Sequence, residues 1–210
     1  MPQIAFLHTA KAHVATFEAL LANAPGVTTR HVVRPGLLTL AQAQGLAAVR
    51  AETARLLHDL SGAVAVVGTC STLGPLVDGL RAEIPHLIRI DRPLMQAAAV
   101  AGPRCLLVLC LDSTRAASVD LLRDCGTRDI DVLMCAGLWP LFLAGDHATF
   151  HARIADRVRA AWDGQDSVVL GQASMAGAGA LLGDLPVPVL SAPRLAVGAA
   201  LALMRSPRHP

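Results

Sequence analysis

The chain has no tyrosine, four phenylalanines and two tryptophans, so aromatics make up only 3% of its 210 residues. That scarcity removes the stacking platforms on which single-stranded nucleic acids are held. Lysine is nearly absent too: Lys11 is the single example, and the arginines form no basic run. A net charge of +2 without a clustered basic face excludes the usual electrostatic footprint of a nucleic-acid binder. No apolar stretch reaches the ~20 residues of a membrane-spanning helix. Runs such as Val64–Val67 and Leu106–Leu111 are strand-sized. The N-terminal Met-Pro-Gln-Ile-Ala-Phe-Leu-His lacks the basic region, longer apolar stretch and cleavage site of a secretory leader, so the expected location is the cytoplasm. In that compartment the five cysteines read as reduced thiols, and because none forms a Cys-x-x-Cys pair no structural zinc site is expected. There is no Gly-rich phosphate loop, and Gly177-Ala-Gly179 is too isolated to mark a dinucleotide site.

What is abundant is aliphatic. Hydrophobic residues make up 53% of the chain, mostly Ala, Leu and Val. Short β-branched runs predict buried parallel strands at Ile4–Leu7, Thr28–Val33, Val64–Val67, Leu87–Ile90, Cys105–Leu109, Ile130–Met134, Val168–Leu170 and Val187–Leu190. Helical spacing lies between them, at Val14–Ala22, Leu40–Leu60, Leu94–Val100, Arg115–Cys125, Phe150–Trp162 and Arg194–Met204. Strands alternating with helices predict an α/β protein with parallel sheets.

The chain also repeats itself weakly. Val66-Val67-Gly68-Thr69-Cys70-Ser71-Thr72 has a counterpart about a hundred residues later in Val169-Leu170-Gly171-Gln172-Ala173-Ser174. Ile4–Thr9 likewise resembles Leu107–Thr114. The expected organisation is two similar lobes, 1–95 and 96–190, with a break near Pro93–Gly102. A C-terminal helix, 191–210, is expected to return to the first lobe.

Ligands of open parallel sheets bind beyond the carboxyl ends of the strands. The residues to watch are therefore His8, Thr9, Cys70, Ser71, Thr72, Asp112, Ser113, Thr114, Gln172 and Ser174. Cys70 follows a strand and precedes Ser71, Thr72 and Gly74-Pro75, which suit a turn into a helix. A helix N-terminus would lower its thiol pKa and favour the thiolate. The alternative is a buried cysteine serving as a small apolar residue. His8, at the end of the first strand, is either a general acid or base facing the cleft, or a satisfied structural histidine. Cys105, Cys110, Cys125 and Cys135 read as packing residues, and His13, His31, His58, His86, His147, His151 and His209 as surface or loop residues. His8 and His13 lack the helical spacing of a metal pair, so no metal is expected.

These turns resemble the aspartate/glutamate racemase superfamily, in particular its Asp/Glu racemase-like subgroup. The matching segments are Leu7-His8-Thr9, Gly68–Gly74, Arg89–Met95, Asp112-Ser113-Thr114, Ala161-Trp162, Gly171–Ala176 and Leu190–Arg194. The superfamily includes glutamate, aspartate and hydantoin racemases, maleate isomerase and arylmalonate decarboxylase. The resemblance implies two flavodoxin-like lobes related by a pseudo-twofold axis, with the active site between them, and a homodimer as the assembly. It also implies cofactor-independent isomerase chemistry beside the carboxylate of a small acid. Cys70 matches the first of the two cysteines that such racemases use, with His8 as a further acid/base candidate. Thr9, Ser71, Thr72, Ser113, Thr114, Gln172 and Ser174 would then hold substrate. The second cysteine should fall where this chain has Gln172. An amide is no general base near neutral pH, so a thiol pair is not available. One-sided chemistry by Cys70 as an isomerase or a malonate-type decarboxylase, racemisation with another base, and binding of a small carboxylate without turnover all remain open.

Overall fold

The computed structural model describes residues 1–205. It divides into two compact units: Met1–Ile90 joined by the C-terminal helix from Pro193, and Asp91–Ala192. The expected continuation of that helix to 210, and His209, lie outside the described residues.

The first unit runs β1 (Gln3–His8), α1 (Ala12–Leu21), β2 (Thr28–Val33), α2 (Pro35–Gln44), α3 (Arg50–Leu60), β3 (Ala65–Gly68), α4 (Gly74–Gly79) and β4 (Leu87–Arg89). The second runs α5 (Arg92–Ala101), β5 (Arg104–Leu109), α6 (Arg115–Asp124), β6 (Asp129–Met134), α7 (Trp139–Leu143), α8 (His147–Ala161), β7 (Ser167–Leu170) and β8 (Val189–Ser191). The last helix, α9 (Ala192–Arg205), closes the described chain. Each unit holds a four-stranded parallel sheet, in the orders β2-β1-β3-β4 and β6-β5-β7-β8.

Every expected strand is present, within two residues at either end. Central and edge strands differ as their sequences require. β3 and β7, Ala-Val-Val-Gly and Ser-Val-Val-Leu, are buried at every position. The edge strands β2 and β6 carry exposed charges at Arg30, Asp129 and Asp131, which blunt their free ladders.

The helices differ more from expectation. The pattern over Leu40–Leu60 is not one helix. Gly45, at φ 83°, ends α2, and a 3-10 turn over Leu46–Val49 leads into α3. α4 and α7 escape the periodicity because they are five or six residues long. Both begin with a proline in the first turn, Pro75 and Pro140, where its missing N–H costs nothing.

The ladders sharpen the repeat. Ile4 pairs with Ala65 and Leu7 with Gly68, and in the second unit Cys105 pairs with Ser167 and Val108 with Leu170. The turn contacts repeat in step. Thr69 N donates to Leu7 O and Gly171 N to Val108 O, both at 3.0 Å, and Leu73 N donates to Cys70 O where Met175 N donates to Gln172 O. By this register Cys70 corresponds to Gln172 and Thr72 to Ser174, one residue off the alignment that sets Gly68 on Gly171. The alignment of the first strands is corrected: His8 corresponds to Leu109 and Thr9 to Cys110, two residues earlier than the Ile4–Leu107 match implied.

Candidate active site

Cys70 is the second residue past β3. Its backbone is extended, and the chain then tightens into a 3-10 turn over Ser71–Leu73 before α4. Two glycines make that turn fit. A Cβ at Gly68 would stand 2.6 Å from Val77 Cγ2, and one at Gly74 would overlap the Arg89 guanidinium. Arg89 is buried on β4 and pairs with Asp78 of α4 at 2.9 Å, which ties the short helix to the sheet edge.

The thiol lies inside this frame, with 9% of the residue exposed. Burial pushes its pKa up, against the expectation of a lowered one. The opposing influences are the Thr9 hydroxyl, the backbone N–H groups of Leu73 and Thr72, and the Thr72 hydroxyl, all hydrogen-bonded to the sulfur. A helix as short as α4 supplies little dipole, which is why desolvation wins. The donors nonetheless form a cradle suited to negative charge on sulfur. Thr9, Cys70 and Thr72 are thus brought together, and Ser71 lies buried in the same turn.

His8 is placed otherwise than as a residue open to a cleft. It is fully buried inside the first unit, and both ring nitrogens are engaged. Nδ1 lies 2.9 Å from Thr69 Oγ1 and Nε2 lies 2.8 Å from His31 Nδ1. Burial, then the nearby His31 and His13, lower its pKa from 6.5 to about 3. At neutral pH it is an uncharged imidazole with no proton to spare as a general acid.

His13 and His31 are not surface residues either. His13, on α1, is buried, and burial lowers its pKa to about 4. His31, on β2, stacks on Phe6 at 4.8 Å and reaches Glu18 Oε1 with Nε2 at 2.7 Å. Glu18 also accepts from Thr29 Oγ1 at 2.5 Å. Sequence reasoning missed this group because it judged each histidine alone. The usable signal was strand alternation: Phe6 and His8 share one face of β1, and β2 places His31 beside Phe6 in the register.

In the second unit Gln172 occupies the turn after β7. Its Oε1 accepts from the backbone N–H of Cys110 at 2.5 Å and of Leu111 at 2.9 Å. The carbonyl end of the amide is therefore spent on the turn after β5, and its NH2 end remains to donate. Thr114 Oγ1 donates to Leu111 O at 2.7 Å, so that hydroxyl holds its own turn and not a ligand. Ser113 is exposed. Ser174 is buried, and its hydroxyl has no hydrogen-bond partner among the described residues. Its carbonyl accepts from His151 Nε2 at 2.8 Å. Cys105, on β5, and Cys110, just past its end, are buried residues whose thiols burial pushes up to about 12, as packing residues require.

Among the described residues no group of three or more His, Cys, Asp or Glu side chains is placed to hold a metal, and no helix is long and apolar enough to cross a membrane.

No protein-family model and no curated protein matches the chain. Solved structures do match over nearly its whole length. Glutamate racemase from Thermus thermophilus, in complex with β-chloro-D-alanine, superposes with a TM-score of 0.72 at 18% identity, covering 97% of this chain and 79% of that one. Picrophilus torridus aspartate racemase gives 0.69 at 12%, covering 97% and 95%. A point mutant of arylmalonate decarboxylase in its sulfate-associated form gives 0.62 at 17%, covering 96% and 93%. The chain therefore has the two-unit fold of these racemases and this decarboxylase.

Proposed function

We propose that the chain is a cofactor-independent enzyme of the isomerase/racemase type, acting beside the carboxylate of a small acid through the single thiol of Cys70. The observation that carries this reading is the sulfur's surroundings. Two threonine hydroxyls and two backbone N–H groups converge on a thiol that has just left a central parallel strand. A cysteine kept only for packing has no need of four donors; a sulfur that takes up a proton and gives it back does. The likeness in fold to glutamate and aspartate racemases supports the same reading.

In the proposed step the Cys70 thiolate removes the proton from the carbon next to the substrate carboxylate and returns it. The Thr9 and Thr72 donors hold the charge on sulfur between those events. Gln172 cannot act as a second base, so the expected outcome is exchange of the α-proton on one face, without the inversion that two bases allow.

The test is proton exchange in heavy water, read by NMR on a panel of small amino and dicarboxylic acids. Wild type should wash deuterium into the α-position of at least one acid, and Cys70→Ala should not. Equal exchange by both proteins would remove Cys70 from the chemistry.

The lone thiol also favours a second reading, decarboxylation of a malonate-type acid. There Cys70 protonates one face of the carbanion left by carbon dioxide, and no second base is needed. Carbon dioxide release from a substituted malonate, lost in Cys70→Ala, separates this from isomerisation.

A further inference from the structure

Behind the Cys70 turn, four side chains of the first unit form a continuous file of hydrogen bonds. Glu18 Oε1 meets His31 Nε2 at 2.7 Å, His31 Nδ1 meets His8 Nε2 at 2.8 Å, and His8 Nδ1 meets Thr69 Oγ1 at 2.9 Å. Thr69 Oγ1 is also 3.0 Å from Leu7 O. Glu18 is at the surface, His31 is partly buried and His8 and Thr69 are buried. The file thus runs from solvent to the residue before Cys70.

Counting protons along it leaves two arrangements. Thr69 has one hydroxyl proton and two acceptors in reach. If it donates to His8 Nδ1, His8 must carry its proton on Nε2 and donate to His31 Nδ1, and His31 donates from Nε2 to Glu18. If it donates to Leu7 O, which can only accept, then His8 Nδ1 must be the donor to Thr69. His8 Nε2 is then bare and accepts from His31 Nδ1, while His31 Nε2 still donates to Glu18. The second arrangement holds one proton more than the first, taken from solvent water. That proton sits on His31, whose ring then carries both, opposite the Glu18 carboxylate.

We propose that Glu18, His31, His8 and Thr69 form a one-proton relay whose charge state sets the direction of the Thr69 hydroxyl, and so makes them positioning residues for the turn that carries Cys70. Charging the file turns the hydroxyl onto Leu7 O, adding a second bond where Thr69 N already donates to Leu7 O. The end of β1 is then tied twice to the start of the Cys70 turn. Discharging it frees one of those ties. His8 adjoins the sulfur's surroundings by a second route, because Thr9, its neighbour in sequence, is hydrogen-bonded to the sulfur.

The surroundings favour passing the proton on over holding it in the middle. The titratable groups facing His8 are His31 from β2 and His13 from α1, with Phe6 and Phe17 completing the wall. Glu18 from α1 faces His31, with the Thr29 hydroxyl beside it. No carboxylate among these groups faces His8, so a cation there would be buried without a counter-charge. Among the described residues that face the file, the carboxylate is that of Glu18, at the His31 end.

The relay itself does not depend on the proposed chemistry of Cys70; its value to catalysis does. The test therefore uses no substrate. Histidine-labelled full-length protein is followed by 15N NMR of the ring nitrogens from pH 9 to pH 4, as wild type, Glu18→Gln and His31→Gln. In wild type, His8 should change from the Nε2–H to the Nδ1–H tautomer on acidification without becoming doubly protonated. The Thr69 and Cys70 amide resonances should shift with the same midpoint. Glu18→Gln, a surface change, should lower that midpoint by about half a unit to one unit, since it removes the counter-charge. His31→Gln should abolish the tautomer exchange while His8 stays neutral. A His8 ring that keeps one tautomer throughout, or takes two protons in this range, overturns the relay. So does a midpoint that Glu18→Gln leaves unmoved, and Thr69 and Cys70 amides indifferent to it overturn the positioning role. Failure of the deuterium exchange at Cys70 would leave these outcomes unchanged.

Discussion

The surroundings of Cys70 pit two influences against each other: desolvation raises the thiol pKa, and four donors lower it. A neutral hydrogen bond of this kind contributes about 1 kcal/mol, or roughly fivefold in an equilibrium. Thr9→Val removes one donor to the thiolate and should slow iodoacetamide alkylation of Cys70 at pH 8 by about that factor, provided alkylation is fitted as a function of pH. A faster-reacting Thr9→Val protein would mean that the hydroxyl shields the sulfur more than it stabilises the charge. The buried histidines make a second residue-scale prediction. His8 and His13 have native pKa values of about 3 and about 4, against 6.5 when solvated. Below pH 6.5 the unfolded chain takes up protons that the native state refuses, so stability is full above that pH. It is lost progressively as pH falls through 6.5 towards 4. The loss should reach on the order of 3 kcal/mol or more by pH 4, with both sites contributing. Urea unfolding at a series of pH values measures it, and His13→Phe should flatten the slope. An unchanged slope would place the acid sensitivity elsewhere.

At the scale of elements, the site depends on two close approaches. Gly74→Ala pushes a methyl group into the Arg89 guanidinium and disturbs its pairing with Asp78. Such overpacking costs about 1–3 kcal/mol. Chemical denaturation should show a loss of that order, and Asp78→Asn alone should show part of it. Gly68→Ala overpacks β3 against Val77 by about 1–3 kcal/mol, and Val77→Ala in the same protein should restore most of the loss. In the second unit, Gln172→Ala strips the partner from the Cys110 and Leu111 N–H groups and should destabilise by about 1–3 kcal/mol. These elements also mark the limit of what local pattern reveals. The buried strands were legible because a parallel sheet covered on both faces demands unbroken aliphatic runs. Short helices such as α4 have too few turns to show a period, and the stop at Gly45 depends on a positive φ, one that neighbouring helical spacing conceals.

For the molecule as a whole, the repeat is the feature that the sequence half disclosed. It was visible where β3 and β7 lead into their turns, because both strands are buried and the turns retain small polar residues. It was misaligned at β1 and β5, where aliphatic residues are interchangeable and only the ladder fixes the register. Of the candidate site, Cys70, Thr9 and Thr72 were legible as residues after strands. The His8–His31–Glu18 file was not, because it joins β1, β2 and α1 through side chains far apart in the sequence. The register pairs Cys70 with Gln172, and from that pairing comes the central proposal of one working thiol. Deuterium exchange in heavy water with an enantiopure small acid tests it most directly. Wild type should take up deuterium at the α-carbon with retained configuration, and Cys70→Ala should take up none. Exchange undiminished by Cys70→Ala would contradict it.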